Sequence, residues 1–447
     1  MTIDHSDRSV PAVADLLLGQ LHASLTDAGL NSMNVLNEIA GDYPAAVSFA
    51  AGRPAEAYFE TTLVHDYLRR FEEHLRERGY SEPEVRRTFY QYGRTKGIIT
   101  DLIADNLRRD EGISVSPESV VVTTGAQEAM LLVLRALRRD SRDVLLAVAP
   151  AYVGISGAAT LVDLPVVPVE ATVGGVDLGD LAARVAALRA EGRRPRACYL
   201  VPDFSNPSGD RLGLADRRAL LEFAERADLL LLEDNPYGLF GDDDTRIPTL
   251  KALDTRRRVV YIGSYAKSGL PGARIGFVVA DQLVGDERSH DPARPPGLFA
   301  DELAKIKSMT TVNTSPIAQA VLGGKLLTHA GDLRAANHRQ TAAYRRNRAH
   351  LRSGLETVFA TTPGVTWNHP RGGFFQVLTV PFVADDELLL RSARDYGVLW
   401  TPMSYFTASP PARSQLRLSY SQLTPAQIDE GLDRLAALVA DQLPGGS

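Results

Sequence analysis

Four short stretches put reactive or anion-holding side chains where predicted strands end. Thr123-Thr124-Gly125-Ala126-Gln127 closes one strand and opens a helical pattern over 128–137. Gly125, Ala126 and Gln127 thus sit at a glycine turn whose free N–H groups favour an anion. Asp203-Phe204-Ser205-Asn206-Pro207-Ser208-Gly209 follows a second strand, with Asn206 held extended by the proline after it. Glu233-Asp234-Asn235-Pro236-Tyr237 ends the most apolar strand of the chain. A carboxylate there is costly unless it meets a cation or a strong donor. The fourth stretch runs from Gly263 to Arg274 and sets Lys267 after a strand, with Ser264 three residues before it and Arg274 seven after. Ligands bind open α/β sheets at the carboxyl ends of their strands. Each stretch alone is a weak signal, but together they bring an anion cradle, an amide, a buried acid, a phenol and an amine to one rim.

That set is what pyridoxal 5′-phosphate requires: a phosphate cradle, a partner for the pyridine nitrogen, donors to the phenolic oxygen and an amine for a Schiff base. On these residues the chain resembles the class I/II aminotransferases of the aspartate-aminotransferase fold (fold type I), and within them the 2-aminoadipate and kynurenine aminotransferase branch. The similarity begins near Val47, in Val47-Ser48-Phe49-Ala50-Ala51-Gly52-Arg53-Pro54, and runs to the C-terminal helix. The resemblance implies that Lys267 is the Schiff-base lysine, that Asp234 pairs with the pyridinium nitrogen, and that Asn206 and Tyr237 hold the phenolic oxygen. It assigns Ser264, Arg274, Gly125, Ala126 and Gln127 to the phosphate and Tyr152, in Pro150-Ala151-Tyr152, to the face of the ring. It sends Tyr92, in Gln91-Tyr92-Gly93, to the phosphate of a neighbouring subunit, which implies a homodimer with shared sites. Arg417, in Leu416-Arg417-Leu418-Ser419, matches the clamp on the substrate α-carboxylate.

Each implied role has a physical reason. A carboxylate at the ring nitrogen keeps it protonated, so that the cofactor can accept the electron pair left at Cα. The lysine amine can move the Cα proton as base and then acid. An arginine can grip a carboxylate bidentately and fix which Cα bond stands perpendicular to the ring. The implied reaction moves an amino group between an α-amino acid and a 2-oxo acid by a ping-pong route. Elimination or replacement at Cβ or Cγ, or carbon–carbon bond formation, needs the same residue types and stays open as the alternative.

The departures from the family pattern matter. Ala126 and Ala266 stand where many relatives carry serine, so two hydroxyl donors to the phosphate are missing. Arg53, Arg94 and Lys96 are basic where relatives are often neutral or acidic; they either bind an acidic co-substrate or serve the fold. An unpaired arginine facing a pocket needs an anion, so Arg53 joins Arg417 and Asn206 as a candidate substrate contact, for a substrate with a second anionic group. Pro402-Met403-Ser404-Tyr405-Phe406 replaces the family's proline-glycine turn and alters the pocket wall.

Positioning these residues falls to an alternation of β-branched runs and helical patterns. Strands are predicted at 120–124, 144–148, 166–170, 198–202, 229–233, 259–263 and 276–279, joined by crossover helices. The run 229–232 is apolar on both faces, as in a central strand covered by helices on each side. Residues 281–297, rich in proline and charge, read as a solvated loop, with an active-site lid as the alternative. A long helix at 333–359, strands at 373–380, 398–401 and 416–420, and a helix at 425–443 compose a smaller α+β domain. One amphipathic helix is expected at 10–30. The fold class is therefore α/β, with a seven-stranded, mostly parallel sheet in the large domain. The parts are an N-terminal helix and arm (1–60), a large cofactor-binding domain (61–332) and a small C-terminal domain (333–447).

Other chemistries recede. No apolar run approaches the roughly 18 residues of a membrane span. The 49 Lys and Arg against 55 Asp and Glu give a net charge of −6, spread along the chain, which disfavours nucleic-acid binding. A transcription regulator with an aminotransferase-like domain would need a basic winged helix ahead of Val47. Ser264-x-x-Lys267 matches a serine-enzyme motif that also requires S-D-N and K-T-G, and neither occurs. There is no Walker A, no H-E-x-x-H, no G-x-S-x-G and no G-x-G-x-x-G after a strand. The nine histidines lack ligand spacing, and no metal site is expected. Cys198, the single cysteine, lies in an apolar stretch and reads as a packed thiol. Asp4, Asp7 and Asp15 mark an N-terminus without a basic or cleavable leader pattern, so a cytoplasmic location is expected.

Overall fold

The computed structural model describes residues 15–172, 174–241, 246–285, 295–407 and 409–443, apart from the side chains of 28–34. All seven predicted strands form, in one sheet: β1 Val120–Thr124, β2 Asp143–Val148, β3 Val166–Val169, β4 Arg194–Leu200, β5 Leu230–Asp234, β6 Val259–Ser264 and β7 Ile275–Val279. Their spatial order is β1-β7-β6-β5-β4-β2-β3. The pairings β6–β5, β5–β4, β4–β2 and β2–β3 are parallel, and β7 alone runs antiparallel between β1 and β6.

Side chains alternate across this sheet with the period of two that a pleated strand imposes. Val121, Leu145, Tyr199, Leu232 and Ile262 face the helices Gly125–Leu137, Val153–Leu161 and Phe299–Thr310. Leu146, Cys198, Leu200, Leu231 and Val259 face Leu178–Ala190 and Leu214–Arg226. Cys198 is therefore a packed thiol, and burial pushes it up to about 12.

A second, antiparallel sheet has the order β8-β9-β11-β10, from β8 Thr366–Trp367, β9 Phe375–Thr379, β10 Thr401–Pro402 and β11 Gln415–Ser419. It packs against His338–Phe359 and Pro425–Gln442 through Leu351, Leu355, Ile428 and Leu435. The helix predicted at 333–359 is broken at Asn337, whose Nδ2 donates to Leu333 O and to Ser268 O. An asparagine that bonds backbone carbonyls competes with helix continuation. The strand predicted at 398–401 also splits: Val398–Leu399 pairs in parallel with Val47–Ser48, and Thr401 begins β10.

The N-terminal helix is elsewhere than predicted. From Asp15 the chain makes two short 3-10 turns, Leu18–Gln20 and Ala23–Thr26, and the helix is Ala28–Asp42. Leu16, Leu17 and Leu18 are consecutive and exposed rather than spaced on one helical face, and Asp27 is a preferred N-cap type immediately before the true start. Positions 10–14 of the predicted helix lie outside the described residues. So does most of the 281–297 segment, of which Leu283–Val284 pairs with Gly297–Leu298. Among the described residues no helix is long and apolar enough to cross a membrane.

Candidate active site

The site is built where β1, β4, β5 and β6 end. β1 delivers Gly125, which opens its helix at φ 77°. A Cβ there would stand 2.6 Å from Arg274 Nη2, and one on Gly276 of β7 would stand 2.6 Å from Ala126 N. The helix start, β7 and the Arg274 guanidinium come together only because both positions lack a side chain. Asp234 is the last residue of β5, and Ser264 the last of β6, three residues before Lys267. The loop after β4 carries Asn206, whose peptide bond to Pro207 is cis. From the second sheet, β11 sends in Arg417 and β9 sends in Phe375.

One cavity of about 400 Å³ gathers these residues. Ala126, Gln127, Tyr152, Asn206, Asp234, Tyr237, Ser264, Lys267, Arg274, Arg417 and Arg53 all line it. Lys267 Nζ donates to Gly52 O at 2.6 Å. Burial, and then the positive charges of Arg274, Arg417 and Arg53, bring its amine down to about 8. Asp234 is buried, and one carboxylate oxygen, Oδ2, accepts from the Tyr199 hydroxyl at 2.7 Å. The other, Oδ1, has no partner among the described residues. Burial raises this carboxyl to about 7 against the lowering effect of the Tyr199 bond. Asn206 links two neighbours: its Oδ1 accepts from Arg417 Nη1 at 2.7 Å, and it hydrogen-bonds the Tyr237 hydroxyl. Tyr152, raised by burial, bonds Gln127.

Arg417 is buried and packs on two aromatic rings, 4.4 Å from the centroid of Phe375 and 5.0 Å from that of Phe406. Its Nη2 donates to Ala50 O at 2.6 Å and Thr401 Oγ1 at 3.0 Å, while Nε has no partner among the described residues. Burial lowers it to about 10. A separate cleft of about 1360 Å³ lies at the amino ends of the strands among residues such as Arg196, Arg258 and Met309 and holds none of this set.

The donor set fits pyridoxal phosphate on two structural counts. The orphaned Asp234 Oδ1 is a buried acceptor that a protonated ring nitrogen would satisfy. The glycine cradle beneath Arg274 combines a helix N-terminus with a guanidinium, which suits a phosphate dianion.

Comparison with known proteins agrees. The family described as aminotransferase class I and II matches residues 75–435. (S)-3,5-dihydroxyphenylglycine transaminase of Amycolatopsis orientalis is 54% identical over 96% of this chain and 95% of its own length. The chain belongs to the class I and II aminotransferases. A 2-aminoadipate transaminase of Thermus thermophilus is 31% identical over 88% of the chain and 89% of its own. The solved structure of a Pyrococcus horikoshii kynurenine aminotransferase in complex with PMP superposes with a TM-score of 0.75 at 26% identity, covering 92% of this chain and 95% of that one. The protein is a fold type I aminotransferase, and its cofactor is pyridoxal 5′-phosphate.

Not every residue singled out in the aminotransferase sequence comes to the cavity. Tyr92 is 84% exposed and lines a different surface groove. Arg94 and Lys96, read above either as contacts for an acidic co-substrate or as structural residues, do not line this cavity. Arg94 pairs with Glu118 at 2.9 Å, and Lys96 pairs with Asp301 at 2.6 Å and donates to Glu118 O. Arg53 lines the cavity and is exposed, and its guanidinium has no ion-pair partner among the described residues. Sequence reasoning missed Tyr199, Phe375, Phe406 and the Leu36–Ala40 turn of the N-terminal helix, which closes one wall. Tyr199 alternates in phase with residues that face the site helices, a signal hidden in an all-apolar strand. Phe375 and Phe406 leave no local mark, because they matter through Arg417, which is distant in sequence.

Proposed function

We propose that this aminotransferase takes an arylglycine-type α-amino acid, of the class of (S)-3,5-dihydroxyphenylglycine, as one substrate. The observation that carries the substrate class is the 54% identity across nearly the full length of the transaminase named for that amino acid. The cavity supports it: Leu36, Ala40, Met130, Val201 and Phe375 offer apolar walls to a ring.

The residue roles are part of the same proposal. Bound pyridoxal phosphate supplies the sink for the electron pair left when the Cα proton departs. Lys267, its amine at about 8, takes that proton from Cα and hands it on. Asp234 presents Oδ1 to the ring nitrogen. Asn206 and Tyr237 meet the phenolic oxygen; Ser264, Arg274 and the Gly125–Gln127 turn meet the phosphate; Tyr152 covers the ring. Arg417, with Nε unpartnered among the described residues and its guanidinium packed on Phe375 and Phe406, grips the α-carboxylate. Arg53 receives an anionic group on the 2-oxo acid. Tyr92 reaches the site of a second copy in a homodimer; support comes from its own exposure as a large aromatic side chain, which leaves it available to a partner surface. Division of the chain at residues 60 and 332 rests on the separate apolar core of the second sheet, which also takes in Leu36, Ile39 and Phe49.

The test is a set of half-reactions with the holoenzyme, following loss of the visible cofactor band. (S)-3,5-dihydroxyphenylglycine should exceed L-2-aminoadipate and L-kynurenine in kcat/KM by at least about tenfold, the discrimination a well-fitted side-chain pocket gives. Equal rates would overturn the substrate class and leave the aminotransferase assignment standing.

A further inference from the structure

Tyr199 is 1% exposed and stands behind the cavity wall, on a strand none of whose residues lines the cavity itself. Its backbone partner across the β4–β5 ladder is Leu232. Asp234 lies two residues further along β5, on the same face, so the phenol reaches it diagonally, as cross-strand i, j+2 neighbours do. The hydroxyl donates to Oδ2 at 2.7 Å, and Oδ1 is left without a partner among the described residues.

This asymmetry has a chemical meaning. A carboxylate has two equivalent oxygens and can rotate about its side-chain bonds. A single fixed donor on one oxygen breaks that equivalence and turns the other toward the cavity. The donor's type matters equally. An arginine or lysine would orient the carboxylate but cancel its charge and compete with a protonated ring nitrogen. A buried phenol, held far from ionisation by its surroundings, donates one hydrogen bond and brings no charge. It also favours the ionised carboxylate, which burial alone opposes.

We propose that Tyr199 is a positioning residue that holds Asp234 ionised and aims its free oxygen at the cofactor ring nitrogen. The proposal rests on the assignment of Asp234 to that nitrogen. It predicts an effect that passes through Asp234 alone.

The experiment compares Tyr199→Phe in the wild-type and Asp234→Ala backgrounds, using holoenzyme throughout. The first readout is the rate at which bound cofactor, followed by its visible absorbance, is lost on dilution into phosphate-free buffer. The second is the primary isotope effect on kcat with α-deuterated amino acid in the wild-type background. Tyr199→Phe alone should speed cofactor loss by on the order of 10- to 100-fold, the range for a hydrogen bond to a charged group, and enlarge the isotope effect while KM stays within about twofold. In the Asp234→Ala background the same change should produce no further acceleration. Equal acceleration in both backgrounds, or an unchanged isotope effect, would overturn the proposal, because a residue that acts only by packing gives those results. If instead Asp234→Ala alone leaves cofactor retention untouched, the assignment of Asp234 fails, and that outcome is distinct from a failure of Tyr199.

Discussion

Lys267 is the sole amine among the described residues that line the cavity. Lys267→Ala should therefore yield protein with no visible band from lysine-linked cofactor and no measurable turnover, read from the absorbance spectrum of the purified variant. A normal band would mean that another amine holds the cofactor. Arg53 lines the cavity and has no ion-pair partner among the described residues, so its charge is available to a ligand. Arg53→Ala should raise KM for 2-oxoglutarate on the order of 10- to 100-fold more than KM for pyruvate, the loss of one charge-assisted pair. Equal effects on the acidic and the neutral 2-oxo acid would make Arg53 a structural residue.

Individual elements bring these side chains to their places, and two contacts between elements test how. The 3-10 turn Met403–Tyr405 leads into Phe406, whose ring, like that of Phe375, packs on the Arg417 guanidinium. Removing one ring of that stack loosens the clamp without touching the proton-transfer groups. Phe406→Ala should raise KM for every α-amino acid by about threefold to tenfold, as expected for one lost cation–π contact, with kcat changed much less. The helices Thr62–Glu77 and Pro316–Thr328 cross at a pair of glycines. A Cβ on Gly324 would lie 1.8 Å from Tyr67 O and one on Gly323 2.7 Å from Phe71 Cδ2. Backbone cannot yield as a flexible side chain does, so Gly324→Ala must separate the helices. A destabilisation of about 1–3 kcal/mol is expected, seen as a Tm lower by several degrees. An unchanged Tm would show that the crossing tolerates a methyl group.

For the molecule as a whole, buried carboxyls set a pH dependence opposite to the usual acid sensitivity. Burial holds both Glu233 and Asp234 at about 7, above their ordinary values of 4.5 and 3.8. Between about pH 4 and about pH 7 these two carboxyls then bind more protons in the folded protein than in the unfolded chain, so their contribution makes stability fall as pH rises through that window. Cofactor-free protein should unfold at a lower urea midpoint at pH 8 than at pH 5. Asp234→Asn should narrow that gap, since an amide has no charge to desolvate. An unchanged gap in the variant would assign the pH dependence to other groups.

The sequence by itself determined the seven strands of the large sheet, because β-branched and apolar runs of strand length are local signals. It also brought Gly125, Asn206, Asp234 and Lys267 to one rim, since each lies at the carboxyl end of a strand or within a few residues of it. Tertiary structure decided what depends on distant partners. Arg94 and Lys96 were ambiguous until Glu118 and Asp301 stood beside them, and Arg53 took on meaning because it lines the cavity without an ion-pair partner among the described residues. The helix at Ala28–Asp42 escaped a periodicity argument because the leucine run before it, at 16–18, carries more apolar character than the helix itself. Tyr199 was invisible for a related reason. In a strand buried on both faces every residue looks like core, and only the register between β4 and β5 shows that this one ends on a carboxylate.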